Sequence, residues 1–165
     1  VPHRKLVTDV TEFHLFGKKL YLSTVLDLYN GEILYYTIYE RPVLDMVLKM
    51  TEGTLKVIGR KTGAILHSDQ GWRYQHAYFI NTLKEHRVIQ SMSRKGNCYD
   101  NCVMETFFGR LKNELFYGYE KEYESYESFA KAVAEYIDYY NNERIQAKTK
   151  WMPPVKYREA SMCSA

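Results

Sequence analysis

"LYLSTVLDLYNGEILYYTIY", residues 20–39, sets the architecture of this chain. Two runs rich in β-branched and aromatic residues flank Asn30-Gly31, a dipeptide that favours tight hairpins because both positions tolerate positive φ. The stretch predicts antiparallel strands over 20–29 and 32–39. Upstream, Val7–Phe16 has the same composition and ends on Gly17-Lys18, so a third strand precedes the pair and the three form a meander.

Downstream the hydrophobic period changes. Pro42 opens a helical segment with Leu44, Val47, Leu48 and Leu55 on one side, weakened by Gly53. Gly63 precedes Ala64–Asp69, a short apolar run that reads as a buried strand and stops at Gln70-Gly71. His76–Arg87 reads as a helix with Phe79, Ile80 and Leu83 inward. Val88–Met92 is a fifth strand, and 93–100 is a polar loop around Gly96. A third helix covers about 101–117, and a fourth, about 126–142, buries Phe129, Val133, Tyr136, Ile137 and Tyr140. The order β-β-β-α-β-α-β-α-α predicts an α/β domain, a mixed five-stranded sheet with helices on both faces. That domain takes residues 1–143, and 144–165 form a basic C-terminal extension, packed on the domain or poised for a partner.

A chain of 165 residues suits one core, and 45% hydrophobic with 26% charged residues excludes a disordered class. No apolar run is long enough for a bilayer span and no signal peptide opens the chain, so no membrane role is expected. The first residue is Val1, which suggests a processed chain or part of a longer one. Cys98, Cys102 and Cys163 are odd in number and lack CxxC spacing, so reduced thiols are expected rather than a zinc site. A net charge of +3 identifies nothing alone. Its distribution says more: over residues 141–159, Arg144, Lys148, Lys150, Lys156 and Arg158 stand against only Glu143 and Glu159. Both a solvated surface and a phosphate-binding one fit that pattern.

Three carboxylates stand apart from the surface acids. Asp9 lies in mid-strand, where a charge is costly unless paired, at an edge or bound to a cation. Asp69 closes the fourth strand, and open α/β sheets build sites beyond such ends. Glu105 sits beside the helical stripe Met104, Phe108, Leu111 and Leu115, with Gly109 and Lys112 on the same flank. Carboxylates from two strands and a helix suit Mg²⁺, a hard cation that takes oxygen ligands. With twenty acidic residues in the chain, three ordinary surface acids would also satisfy the pattern.

The words around these acids narrow the choice. "TDVTEF", "LYLSTVLDLYNGEI", "LHSDQGWRYQ", "QSMSRKGNCYDNCVMETFFGRLKNEL" and "YIDYYNNERIQAKTKWMPPVKYR" resemble, in order and over nearly the whole chain, the catalytic core of bacterial insertion-sequence transposases of the DDE class. Thirty-five residues separate Asp69 from Glu105, as in that family. Leu6 stands where Trp is common and Cys102 where Ala is common, and neither position carries chemistry. The resemblance implies a ribonuclease H-like, retroviral-integrase-like fold and a polynucleotidyl transferase that cleaves DNA 3′ ends and then transfers the strand. It implies Asp9, Asp69 and Glu105 as catalytic metal ligands, with two Mg²⁺ (or Mn²⁺) ions present with substrate. Lys112 matches a family residue that contacts DNA. Arg94, Lys95 and Asn97 in the loop, and Lys148 and Lys150 in the extension, are further expected DNA contacts. His67 is expected to pack or to orient Asp69. The implied partners are element ends and target DNA, with a homo-oligomer in the synaptic complex. The family's upstream DNA-recognition region is expected to lie outside this chain, since only "VPHRK" precedes the core. The implied setting is the bacterial cytoplasm, at the nucleoid.

Overall fold

The computed structural model describes residues 1–59, 63–93 and 102–163. Strands β1 (Lys5–Leu15), β2 (Lys18–Asp27) and β3 (Ile33–Tyr39) form the expected antiparallel meander. Strands β4 (Ile65–Ser68) and β5 (Ile89–Met92) join on the other side of β1, both parallel to their neighbour. The sheet order is β3-β2-β1-β4-β5, so the first strand lies at the centre.

Neighbouring residues on a strand face opposite ways, and the two cores follow from this alternation. Val7, Leu26 and Ile33 bury against α3 (Cys102–Leu111) and α4 (Tyr126–Asn142), together with Met104, Phe107, Phe129 and Val133. Leu6, Val25 and Leu34, each one residue away, bury on the other face against α1 (Leu44–Ile58) and α2 (Ala77–Glu85), with Met46, Met50 and Phe79. Helices therefore cover both faces. The Gly53 that weakens α1 as a helix serves its packing: a Cβ there would lie 2.2 Å from the Tyr35 ring on β3.

The β2–β3 turn is longer than Asn30-Gly31 alone predicts. Asp27 is fully buried, and its carboxylate accepts from the N–H groups of His3 (2.7 Å) and Tyr29 (2.9 Å). Those bonds stop β2 two residues early. Gly31, at φ 80°, then closes the loop by donating to Asp27 O at 2.7 Å.

Helix α4 starts on a capping box in which Ser125 and Ser128 bond reciprocally. It runs along the open edge of β3 and holds it at both ends. The Asn141 amide pairs with both the N–H and the C=O of Ile33, each at 2.9 Å. The Tyr126 hydroxyl donates to Ile38 O at 3.2 Å.

The C-terminal extension folds back onto the domain. Pro154 takes the first position of α5 (Pro154–Cys163), where its missing N–H costs nothing. Arg158 pairs with Glu32 at 2.8 Å, and the Asn30 amide donates to Pro154 O at 2.9 Å. Arg144 pairs with Glu114 at the end of the preceding helix pair. Among the described residues no helix is long and apolar enough to cross a membrane.

Candidate active site

The central strand supplies the first carboxylate. Asp9 is half-buried in β1, and one oxygen accepts from the Val10 N–H at 2.8 Å. The β1–β4 register pairs Val7 with His67, so two residues further along the parallel ladder Asp9 comes level with Asp69. Asp69 is exposed, just past the end of β4. Its Oδ1 accepts the Gly71 N–H at 2.8 Å. Gly71 has no side chain for a reason: a Cβ there would stand 2.9 Å from that same oxygen.

Behind the two aspartates lies Tyr74, 2% exposed, with its hydroxyl 3.5 Å from Thr8 Oγ1. Burial first, and the Asp9 and Asp69 charges after it, hold this phenol protonated well above the usual range. The phenol thus lies within electrostatic reach of both acids.

Glu105 arrives from the opposite layer. Asp9 pairs across the ladder with Thr24, and the Thr24 hydroxyl donates to Met104 Sδ at 3.2 Å. The first turn of α3 is therefore laid over the rung that carries Asp9, and Glu105 is the next residue, exposed in that turn. Among the described residues no three His, Cys, Asp or Glu side chains are grouped so as to hold a metal ion. The structure brings Asp9 and Asp69 together and brings the helix of Glu105 to Asp9's rung.

The expected DNA contacts separate into groups. Arg94, Lys95 and Asn97 lie outside the described residues. Lys112 begins a π-helical turn, Lys112–Phe116, that continues α3, a feature with no local sequence signal. Its ammonium stands 5.4 Å from the centre of the Phe13 ring. Partial burial lowers its pKa, with Glu12 opposing. Lys148 is exposed as a residue, but its ammonium is turned in beside Gly31, 2.5 Å from where a Cβ would be. Burial and then Arg110 lower its pKa. Lys150 is exposed and left-handed at φ 54°. His67 does not bond Asp69: its ring nitrogens meet Ser91 Oγ at 2.9 Å and Ser93 Oγ at 3.0 Å.

Sequence reasoning passed over Thr8, Gly71 and Tyr74. The available signal was Gly71, two residues after a candidate ligand, where a bare backbone marks a close approach. Replacing it should act on geometry. We expect Gly71→Ala to stay within about 1 kcal/mol of wild-type stability, because only a carboxylate tip must move. If the chain cleaves DNA as its resemblance implies, the variant's rate should fall about a hundredfold, the effect of an ångström-scale misplacement. Thermal unfolding and a cleavage time course measure the two quantities on one preparation.

Two family models described as integrase core domain match this chain, over residues 1–98 and 105–162. It is 50% identical over 157 residues to a putative transposase of insertion sequence element IS150 from Escherichia coli. That alignment covers 95% of this chain and 55% of the relative, so the chain spans about half of that protein's length. An uncharacterized transposase-like protein of Haemophilus influenzae is 48% identical, with 98% of this chain and 73% of the relative covered. Among solved structures, the HTLV-2 integrase catalytic core domain in complex with magnesium matches with a TM-score of 0.72 at 14% identity, over 88% and 90% of the two chains. The BIV integrase catalytic core matches with a TM-score of 0.67 at 18% identity, over 98% of each. At such identities these two establish the fold, which is the ribonuclease H-like one.

Proposed function

We propose, from the premise that the chain belongs to the integrase core domain family as found in bacterial insertion-sequence transposases, that it cleaves 3′ ends of an insertion element and joins them to target DNA. The observation that carries this is the strand register that brings Asp9 level with Asp69, beneath the first turn of α3. In this reading Asp9, Asp69 and Glu105 hold divalent cations. The donor set fits: oxygens only, charged, half-buried to exposed, which suits Mg²⁺ or Mn²⁺ over softer metals. Gly71 keeps Asp69 clear for a ligand, as a side chain there would not. Magnesium in the HTLV-2 core domain supports the same choice.

Two ions bound with substrate supply charge neutralisation at the attacking and leaving oxygens of a phosphodiester. The protein's residues do the rest. Thr8 and Tyr74 form a neutral floor that holds no competing charge against the aspartates. Glu105 beside that pair would make three negative charges, which a bound cation would offset. Lys112 and Lys150 offer cations to DNA phosphates, Arg94 and Lys95 are assigned the same role, and Asn97 is assigned a neutral amide contact to DNA. The tucked ammonium of Lys148 suits a structural part instead. A homo-oligomer on DNA is proposed too, supported by the dimeric and trimeric forms of the HTLV-2 core.

The experiment is strand joining with a pre-cleaved element end. Incubated with Mg²⁺ or Mn²⁺, the protein should produce joined products longer than the input strand. Nicked products without any joined strand would replace this reading with a nuclease of the same fold.

A further inference from the structure

Ser93 follows β5 and is 7% exposed. Its N–H donates to Ser68 O at 2.9 Å, the bond any parallel ladder would supply. Three further bonds go beyond that need. The Ser93 carbonyl accepts from Gln70 Nε2 at 3.0 Å. Its hydroxyl lies 3.0 Å from His67 Nε2 and 3.4 Å from Ser68 O. The other nitrogen of His67 is engaged by Ser91 Oγ at 2.9 Å. A neutral imidazole has one donor and one acceptor, and hydroxyls answer either, so the ring is satisfied and fixed at both ends.

These bonds converge on residues 67, 68 and 70, which bracket Asp69 while leaving its carboxylate out. Strand β4 is only four residues long, and the ends of short strands open readily. A staple at this point sets the direction in which Asp69 leaves the sheet. We propose that His67, Ser93 and Gln70 are positioning residues for Asp69: they hold its backbone, and through it the carboxylate, against the end of β5. This inference rests on the reading of Asp69 as a cation ligand. It differs from a purely structural role because β5 would stay paired to β4 through backbone bonds without the three side chains.

The test uses His67→Ala, Ser93→Ala and Ser93→Thr in the full chain, with Gln70→Ala as a variant at an exposed position that leaves folding unthreatened. Mn²⁺ affinity by calorimetry and steady-state DNA cleavage are both measured. Partners that orient a ligand typically change metal affinity or activity 10–100-fold when removed. The three alanine variants should weaken Mn²⁺ binding and lower kcat at least tenfold, with KM for DNA within about twofold of wild type. Ser93→Thr keeps the hydroxyl and should recover both. Asp69→Asn is the reference. If it loses Mn²⁺ binding while the alanine variants bind like wild type, the staple is refuted and the site stands. If Asp69→Asn itself binds Mn²⁺ normally, the reading of the site fails and the staple falls with it.

Discussion

Asp9→Asn, Asp69→Asn and Glu105→Gln should each bring cleavage and joining below detection in saturating Mg²⁺ or Mn²⁺, while the protein remains folded. The amide keeps the shape of each side chain, and the Asp69→Asn variant retains an oxygen for the Gly71 N–H. What is lost is one negative charge of the set proposed to hold a cation. The stability readout separates this from damage to the fold. Without divalent metal the variants should melt no lower than wild type, since each removes one like charge from the proposed three-acid set. With metal at about a hundred times its dissociation constant, wild type should gain about 2.7 kcal/mol and the variants little. Cleavage by Asp69→Asn with excess metal would remove Asp69 from the mechanism.

The largest loss of stability should come from Phe129→Ala. Phe129 is fully buried on α4 and meets three rings edge-on: Phe13 at 5.0 Å, Phe116 at 6.1 Å and Tyr123 at 5.0 Å. Truncation removes those contacts and leaves a cavity between β1, α4 and the π-helical turn. Such substitutions cost about 3–5 kcal/mol, which for a chain of this size lowers Tm by roughly 10 °C. Phe13 would lose a wall beside Lys112, so DNA affinity should weaken as well if Lys112 contacts DNA as proposed. Calorimetric melting within a degree or two of wild type would mean the aromatic cluster is dispensable.

Much of this fold could be read locally. The three meander strands, the two short parallel strands and α4 announce themselves through period and turn chemistry, and α4 occupies the range its apolar spacing predicts. Asp9 stood out because a strand interior is a costly place for a charge, and Asp69 because open α/β sheets build sites just beyond strand ends. The features that escaped are those made by distant partners. Nothing near His67 reveals Ser91 and Ser93, 24 and 26 residues away. Nothing near Lys148 shows that the Gly31 turn will receive its ammonium. Helix α5 was legible in hindsight, since Pro154 is a good first helical residue, but a basic tail with two prolines reads equally as extended chain. Its weak amphipathic character follows from how it is held, by Glu32 and Asn30 rather than by an apolar stripe.

The clasp of α4 on β3 bears on how this protein goes wrong as well as how it works. An outer strand is an invitation to another chain, and a seven-residue one as apolar and aromatic as β3 is a strong one. Asn141 and Tyr126 answer it from the two ends of one helix, occupying the outward groups of Ile33 and Ile38. The protection is therefore conditional on α4 staying in place. A molecule that has lost α4 but kept its meander is a better seed for aggregation than one that has unfolded completely. Moderate heat, or a substitution that loosens that helix, is then more damaging to a concentrated solution than its effect on equilibrium stability suggests.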